Sequence, residues 1–215
     1  PKPTQMRPII ALSPIIKILE SRLLMKLNYY MNERLCREQI GFVQQCDTQI
    51  NIARILQDSR KKQESNQPAV ILFIDFSSAY NNVPLDNLFE ILASKNILDT
   101  NVINLLRSLN NNTRITIGKT ESLSINKGVM QGSIISPALF NIFIESLIEG
   151  LKKISRNIYV YADDLAMLLD SFYRLNQSIE YIIKWSKENN TPINYKKCGI
   201  LNIRSRINSR KMVSK

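Results

Sequence analysis

Six consecutive apolar residues, Ala69-Val-Ile-Leu-Phe-Ile74, run directly into an acidic one, Asp75. A run this short, rich in branched side chains and without polar alternation, reads as a strand buried on both faces. An ionised carboxyl abutting such a strand carries a desolvation cost unless it is paired or binds a metal ion. The chain must therefore build a sheet around residues 69–74 and accommodate Asp75 at its end, as a functional group or as a strand-end cap.

The remaining pattern surrounds that strand with helices. Apolar residues at helical spacing (Ile15, Ile16, Ile18, Leu19, Leu23, Leu24, Leu27) predict an amphipathic helix over 13–31, with Pro14 in its first turn. A second helix is predicted over 48–61, a polar loop over 61–67, and further helices over 85–94 and 102–110. Residues 114–117 and 123–125 read as a hairpin around Gly118. Ser136-Pro137, a good N-cap followed by a good first helical residue, opens a helix to about residue 154. Two strand-like runs, 157–161 and 165–169, flank Ala162-Asp163-Asp164, so the acidic pair falls at or near a hairpin turn. A long helix over 172–189 and a strand over 198–203 complete the pattern. Strands and helices alternate without the rhythm of a parallel βαβ array, which predicts an α+β fold whose antiparallel sheet is backed by helices on one face.

At 215 residues, with 44% hydrophobic and 22% charged, the chain can bury a substantial core and is not of the disordered class. No Gly/Ser-rich or Pro-rich linker divides it, which favours one continuous core with subdomains. The excess of 29 basic over 18 acidic residues gives a formal charge of +11, insensitive to pH near neutrality because there is no His. A polyanionic partner follows, nucleic acid before acidic membrane, with a solvated basic surface as the plain alternative. Cys36, Cys46 and Cys198 are widely spaced, form no CxxC pair and have no His beside them, so they read as reduced intracellular thiols rather than a zinc site. The longest apolar runs are too short to span a bilayer, and no signal peptide opens the chain. The start at Pro1 and the basic end at Lys215 suggest a piece of something longer.

Asp75 and the pair Asp163-Asp164 are the chemically suggestive carboxylates. Transfer of a nucleotidyl group needs two magnesium ions about 4 Å apart, held by hard oxygen ligands on a rigid frame. A carboxylate ending a buried strand, facing a pair on a neighbouring hairpin, would provide them. Taken alone, adjacent aspartates are ordinary turn formers.

Three segments in order narrow the choice. Phe73-Ile-Asp75-Phe-Ser-Ser-Ala-Tyr80, Gly128-Val-Met-Gln-Gly132-Ser-Ile-Ile-Ser-Pro137 and Tyr161-Ala-Asp-Asp164 resemble motifs A, B and C of the reverse transcriptase family. Upstream, Arg7-Pro-Ile-Ile and Gln39-Ile-Gly41-Phe42 are similar to the family's fingers segments; downstream, Trp185 and Asn194-Tyr-Lys-Lys197 resemble motif D. The resemblance implies a right-hand polymerase palm from residue 69 to 215, with partial fingers over 1–68. The chain stops soon after motif D, and no primer grip or helical thumb is recognisable, although Arg204, Arg206, Arg210 and Lys211 could touch phosphates.

The same resemblance implies an RNA-directed DNA polymerase acting on an RNA template, a DNA or RNA primer and deoxynucleoside triphosphates, with two Mg2+ ions or, in their place, Mn2+. Asp75 and Asp163 would be direct ligands, Asp164 a weaker or indirect one, and the main-chain carbonyl of Phe76 would complete a metal site. Tyr80 stands five residues past Asp75, where a ring would clash with a ribose 2'-hydroxyl and favour deoxynucleotides; a core tyrosine is the alternative. Gln131 and Gly132 lie in a loop whose glycines let the main chain approach a nucleotide, though a turn leading into a capped helix would look the same. Arg7 would grip the triphosphate through its guanidinium fork. Lys197 would donate a proton to departing pyrophosphate, or is an ordinary solvated lysine.

The forms of motifs B and C resemble the non-LTR retrotransposon and group II intron branch, and the phrases Asp75-Phe-Ser-Ser-Ala-Tyr-Asn81 and Lys196-Lys-Cys-Gly-Ile-Leu201 favour the non-LTR side. A nuclear location is expected from that element type, with mitochondrial or bacterial origin as alternatives. An RNA-dependent RNA polymerase would place a second Asp where Tyr80 stands, and a non-catalytic nucleic-acid-binding palm would have no need of all three aspartates.

Overall fold

The computed structural model describes residues 12–111, 114, 115, 123, 124 and 127–203. Arg7 with its Arg-Pro motif, the Gly118 turn and the basic residues from Arg204 onward lie outside the described residues. The chain divides into two compact units, one from residues 1–35 and 78–143, the other from 36–77 and 144–215. This partition by compactness cuts across the fingers and palm segments named above, because residues 36–68 group with the strand that follows them.

The first unit is mostly helical. Helix α1 (Pro14–Arg34) starts where Ser13 caps it, its side chain accepting from Ile16 N–H at 3.4 Å. Its buried stripe is Glu20, Leu23, Leu27 and Tyr30, so one carboxylate occupies an otherwise apolar face. The short helix α3 (Ala79–Asn82) follows Ser78, whose φ of 48° is left-handed. Helices α4 (Leu85–Ser94) and α5 (Thr100–Asn111) pack on each other and bury Leu88, Phe89, Leu92, Ile103 and Leu106. Strands β2 (Arg114–Ile115) and β3 (Leu123–Ser124) pair antiparallel, as the hairpin reading requires. Helix α6 (Ser136–Lys152) begins in this unit, where Phe140 and Phe143 have no exposed surface.

The second unit is built on a four-stranded antiparallel sheet in the order β4-β5-β1-β6, from β1 (Ala69–Ile74), β4 (Ile158–Tyr161), β5 (Asp164–Leu169) and β6 (Gly199–Ile203). Helix α2 (Thr48–Glu64) lies on one face, its Ile55 packed against Ala69, Ile71, Tyr159, Ala166 and Leu168. Tyr159 also donates its hydroxyl to Asp58 of α2 at 2.8 Å. The opposite face is dry as well: Val70, Leu72, Ile74, Leu165, Met167 and Leu169 are all buried. Helix α7 (Phe172–Glu188) packs on β1 and β5 and ties to α6 through Trp185 Nε1, which donates to Ser146 Oγ at 2.9 Å. Covering on both faces corrects the expectation of helices on one face, and it agrees with the unbroken apolar run of β1.

Two boundaries also move. Helix α2 runs three residues beyond 61, into the segment read as loop; its C-cap Ser65 donates N–H to Lys61 O at 3.0 Å, and Asn66 then takes a φ of 53°. Asp164 belongs to β5 rather than to the turn, which fixes its side-chain direction by strand alternation.

Candidate active site

Strand register brings Asp75 to Asp164. Cα partners between β1 and β5 run from Val70↔Leu169 to Ile74↔Leu165, and one further step sets Asp75 opposite Asp164. Directly opposed residues share a face, with Cβ atoms about 5 Å apart. On the other side of β5, Tyr161 pairs with Asp164. Asp75, Asp164, Tyr161 and Lys197 line an open cavity of about 480 Å3, with Phe73, Asn51 and Ile55 among its walls.

The electrostatics follow from that crowding. Burial pushes the Asp164 carboxyl above its ordinary value, the nearby Asp75 charge pushes it further, and Lys197 opposes both. Lys197 Nζ stands 3.6 Å from Asp75 Oδ2, and its side chain is otherwise largely exposed. Asn194 holds Asp75 twice: its side-chain amide donates to Oδ2 at 2.8 Å and its backbone N–H donates to the Asp75 carbonyl at 2.8 Å. Beyond Asp75, Phe76 bridges antiparallel to Ile193 and meets Trp185 edge-on at 6.0 Å. The bonds of that bridge use the carbonyls of Asp75 and Pro192, so the Phe76 carbonyl stays outside it.

Asp163 is the second residue of the turn between β4 and β5 and is half-buried. The residue before it, Ala162, sits at φ 55°, a conformation that costs a residue with a Cβ roughly 1–2 kcal/mol. Gln39 holds it there. This buried side chain, 2% exposed, accepts from Ala162 N–H at 2.9 Å and donates to Ala162 O at 3.0 Å. Its Oε1 also accepts from Gly41 N–H at 2.9 Å. A Cβ on Gly41 would stand 2.2 Å from Ala162 N, so only glycine fits. Residues 38–40 run beside β4, with Ile40 N–H donating to Val160 O at 3.1 Å and Val160 N–H to Glu38 O at 3.0 Å. The Phe42 ring lies 6.4 Å from that of Tyr161. Gln39-Ile-Gly41-Phe42 is thus a clamp on the acidic turn.

In the first unit, Tyr80 stacks on Phe140 with ring centroids 4.6 Å apart and planes 11° from parallel. The loop 128–135 is fastened beside it: Gly128 N–H donates to Val83 O and Val129 N–H to Tyr80 O, both at 2.8 Å, while the Gln131 amide donates to Asn81 Oδ1 at 3.1 Å. Gly128 and Gly132 take φ of 90° and 107°. A Cβ on Gly128 would stand 2.8 Å from Asn81 Cα, so the loop needs glycine for closeness as well as for φ.

The model of the reverse transcriptase (RNA-dependent DNA polymerase) family matches residues 1–211. The chain belongs to the reverse transcriptase family. Among known relatives, the RNA-directed DNA polymerase from mobile element jockey of Drosophila funebris is 25% identical over 210 residues, covering 90% of this chain and 23% of that protein. The probable RNA-directed DNA polymerase from transposon BS of Drosophila melanogaster is 28% identical over 183 residues, covering 79% of this chain and 20% of that protein. This reverse transcriptase chain therefore spans about a quarter or less of these relatives, and they support the non-LTR branch. Among solved structures, a truncated apo telomerase from Candida tropicalis shares the fold with a TM-score of 0.65 at 14% identity, over 87% of this chain and 40% of that one.

Within this family frame, the register sets Asp164, the member of the pair given the lesser role by resemblance, opposite Asp75, with Asp163 in the turn. Lys197 comes to the same carboxylates. Tyr80, Gln131 and Gly132 form a second cluster in the first unit. Gln39, Gly41 and Asn194 stood inside recognised motifs without a role, and Glu20 and Asn81 had none either. Glu20 alone carried an internal signal, a carboxylate in the apolar stripe of an amphipathic helix.

Proposed function

We propose that this chain is the catalytic core of an RNA-templated DNA polymerase of a non-LTR retrotransposon, adding deoxynucleotides to a DNA or RNA primer on an RNA template. The meeting of Asp75 with Asp164 at the end of one sheet, beside the turn that carries Asp163, is the observation that supports it. Two opposed carboxylates, one of them pushed toward its protonated form despite a nearby lysine, leave negative charge that a cation would balance. The donors are all hard oxygens, which suits Mg2+ or Mn2+.

Asp75, Asp163 and Asp164 would hold the ions, and the Phe76 carbonyl is available to join them. When bound, the ions would activate the primer hydroxyl and stabilise the charge on departing pyrophosphate. Asn194 keeps the Asp75 carboxylate fixed, and Gln39 with Gly41 keeps the turn from moving. As the primer 3'-oxygen loses its proton to solvent and bonds to the α-phosphorus while the bond to pyrophosphate breaks, Lys197 would give the leaving oxygen a proton. Tyr80 would exclude the ribose 2'-hydroxyl, Gln131 and Gly132 would contact the nucleotide or template, and Arg7 would grip the triphosphate.

Magnesium-dependent primer extension on an RNA template tests this. The unmodified protein extends, and Asp163→Ala lowers the rate by on the order of 1,000-fold or more. Equal residual activity in both would leave a non-catalytic nucleic-acid-binding palm. Tyr80→Ala raises ribonucleotide incorporation if the ring is the gate; unchanged sugar selectivity would make it a core tyrosine.

A further inference from the structure

Glu20 carries no role in the chemistry above, yet its placement is unusual. It lies 6% exposed in the buried stripe of α1, against an apolar cavity of about 80 Å3 whose walls include Leu23, Leu88, Phe89 and Val129. A carboxyl in such surroundings is costly unless its oxygens are bonded. Both are: Oε1 accepts from Ser133 Oγ at 2.6 Å and Oε2 from Ile134 N–H at 2.9 Å. These partners are more than a hundred residues away in the chain, and they close the loop that carries Gln131 and Gly132. The other end of that loop is bonded to Tyr80 O and Val83 O.

We propose that Glu20 is a positioning residue for nucleotide selection: its two carboxylate oxygens fix the far end of the 128–135 loop and so hold Gln131 and Gly132 in place beside Tyr80. The inference rests on the polymerase reading for what the loop contacts, but not for the clamp itself. Leucine at 20 would extend the apolar wall while abolishing both bonds and leaving the Ile134 N–H and Ser133 hydroxyl without their acceptor. Glutamine would keep both, its carbonyl accepting from Ile134 N–H and its amide donating to a rotated Ser133 hydroxyl.

The experiment compares Glu20→Leu and Glu20→Gln with the unmodified protein in three measurements: steady-state primer extension, thermal unfolding, and hydrogen exchange of the amides from Val129 to Ile134. Glu20→Leu is expected to raise KM for the deoxynucleotide about 10-fold with kcat changed by no more than about 2-fold, and to speed loop exchange about 10-fold, with Tm lowered by no more than about 4 °C. Glu20→Gln stays near the unmodified protein in all three. Unchanged KM and unchanged loop exchange in Glu20→Leu would overturn the clamp, as would a loss in both variants that merely follows a lowered Tm. If the unmodified protein extends no primer, the polymerase reading fails, and loop exchange still decides whether Glu20 holds the loop.

Discussion

The turn at Ala162-Asp163 and the loop at 128–135 both hold short stretches of backbone in left-handed conformation, and they do it by opposite means. The turn places a residue with a Cβ at φ 55° and fixes it through the neutral amide of Gln39. The loop uses glycines at φ 90° and 107° and is closed by a carboxylate, Glu20. Charge accounts for the contrast. Beside Asp75, Asp163 and Asp164 another anion would add repulsion where the Asp164 carboxyl is already pushed upward, whereas an amide orients the peptide without charge. The charge of Glu20 is instead met by two donors, the Ser133 hydroxyl and Ile134 N–H, one on each carboxylate oxygen.

The largest effect expected from this contrast comes from Gly41→Ala. Its Cβ would collide with Ala162 N, so the acidic turn must shift; primer extension should fall on the order of 100-fold, with a loss of about 2 kcal/mol in denaturant unfolding. Near-normal extension would show that the turn tolerates displacement. Gln39→Ala comes next. It removes buried bonds to both sides of the Ala162 peptide, at a cost of about 2–3 kcal/mol and about 10-fold in rate. Gln39→Glu keeps the acceptor for Ala162 N–H and Gly41 N–H but adds charge and sets an oxygen against Ala162 O; a rate above that of Gln39→Ala would contradict the preference for neutrality. The smallest effects are paired and opposite in sign. Ala162→Gly should stabilise by about 1 kcal/mol by relieving the left-handed strain, and Gly132→Ala should destabilise by about the same amount. Equal signs in the two unfolding experiments would erase the distinction between a strained turn and a relaxed loop.

Much of this was legible in the order of residues. The run ending at Ile74 is β1 as drawn from the sequence, the acidic pair does fall at a β4–β5 hairpin, and helices α4 and α7 match their patterns within a residue. The contacts that position the carboxylates were not legible, because they are long-range. Gln39 meets Ala162 across 123 residues and Asn194 meets Asp75 across 119, and nothing in the local pattern of either residue encodes its partner. Register decided the rest. Which aspartate opposes Asp75 depends on the pairing Ile74↔Leu165, and a slip of one residue would have turned the other way. Helix covering of the second sheet face was hidden for a similar reason: the apolar run of β1 announced burial on both sides, while the element order suggested backing on one.

Asp75, Asp163 and Asp164 are proposed to share divalent cations at the end of this sheet. Crystals of the protein soaked in Mn2+ and measured at the manganese absorption edge test it most directly. Anomalous density is expected against the Asp75 and Asp164 carboxylates in the unmodified protein and is expected to vanish in Asp75→Asn. Ordered crystals with no peak at those carboxylates, or with the same peak in the Asp75→Asn variant, would contradict it.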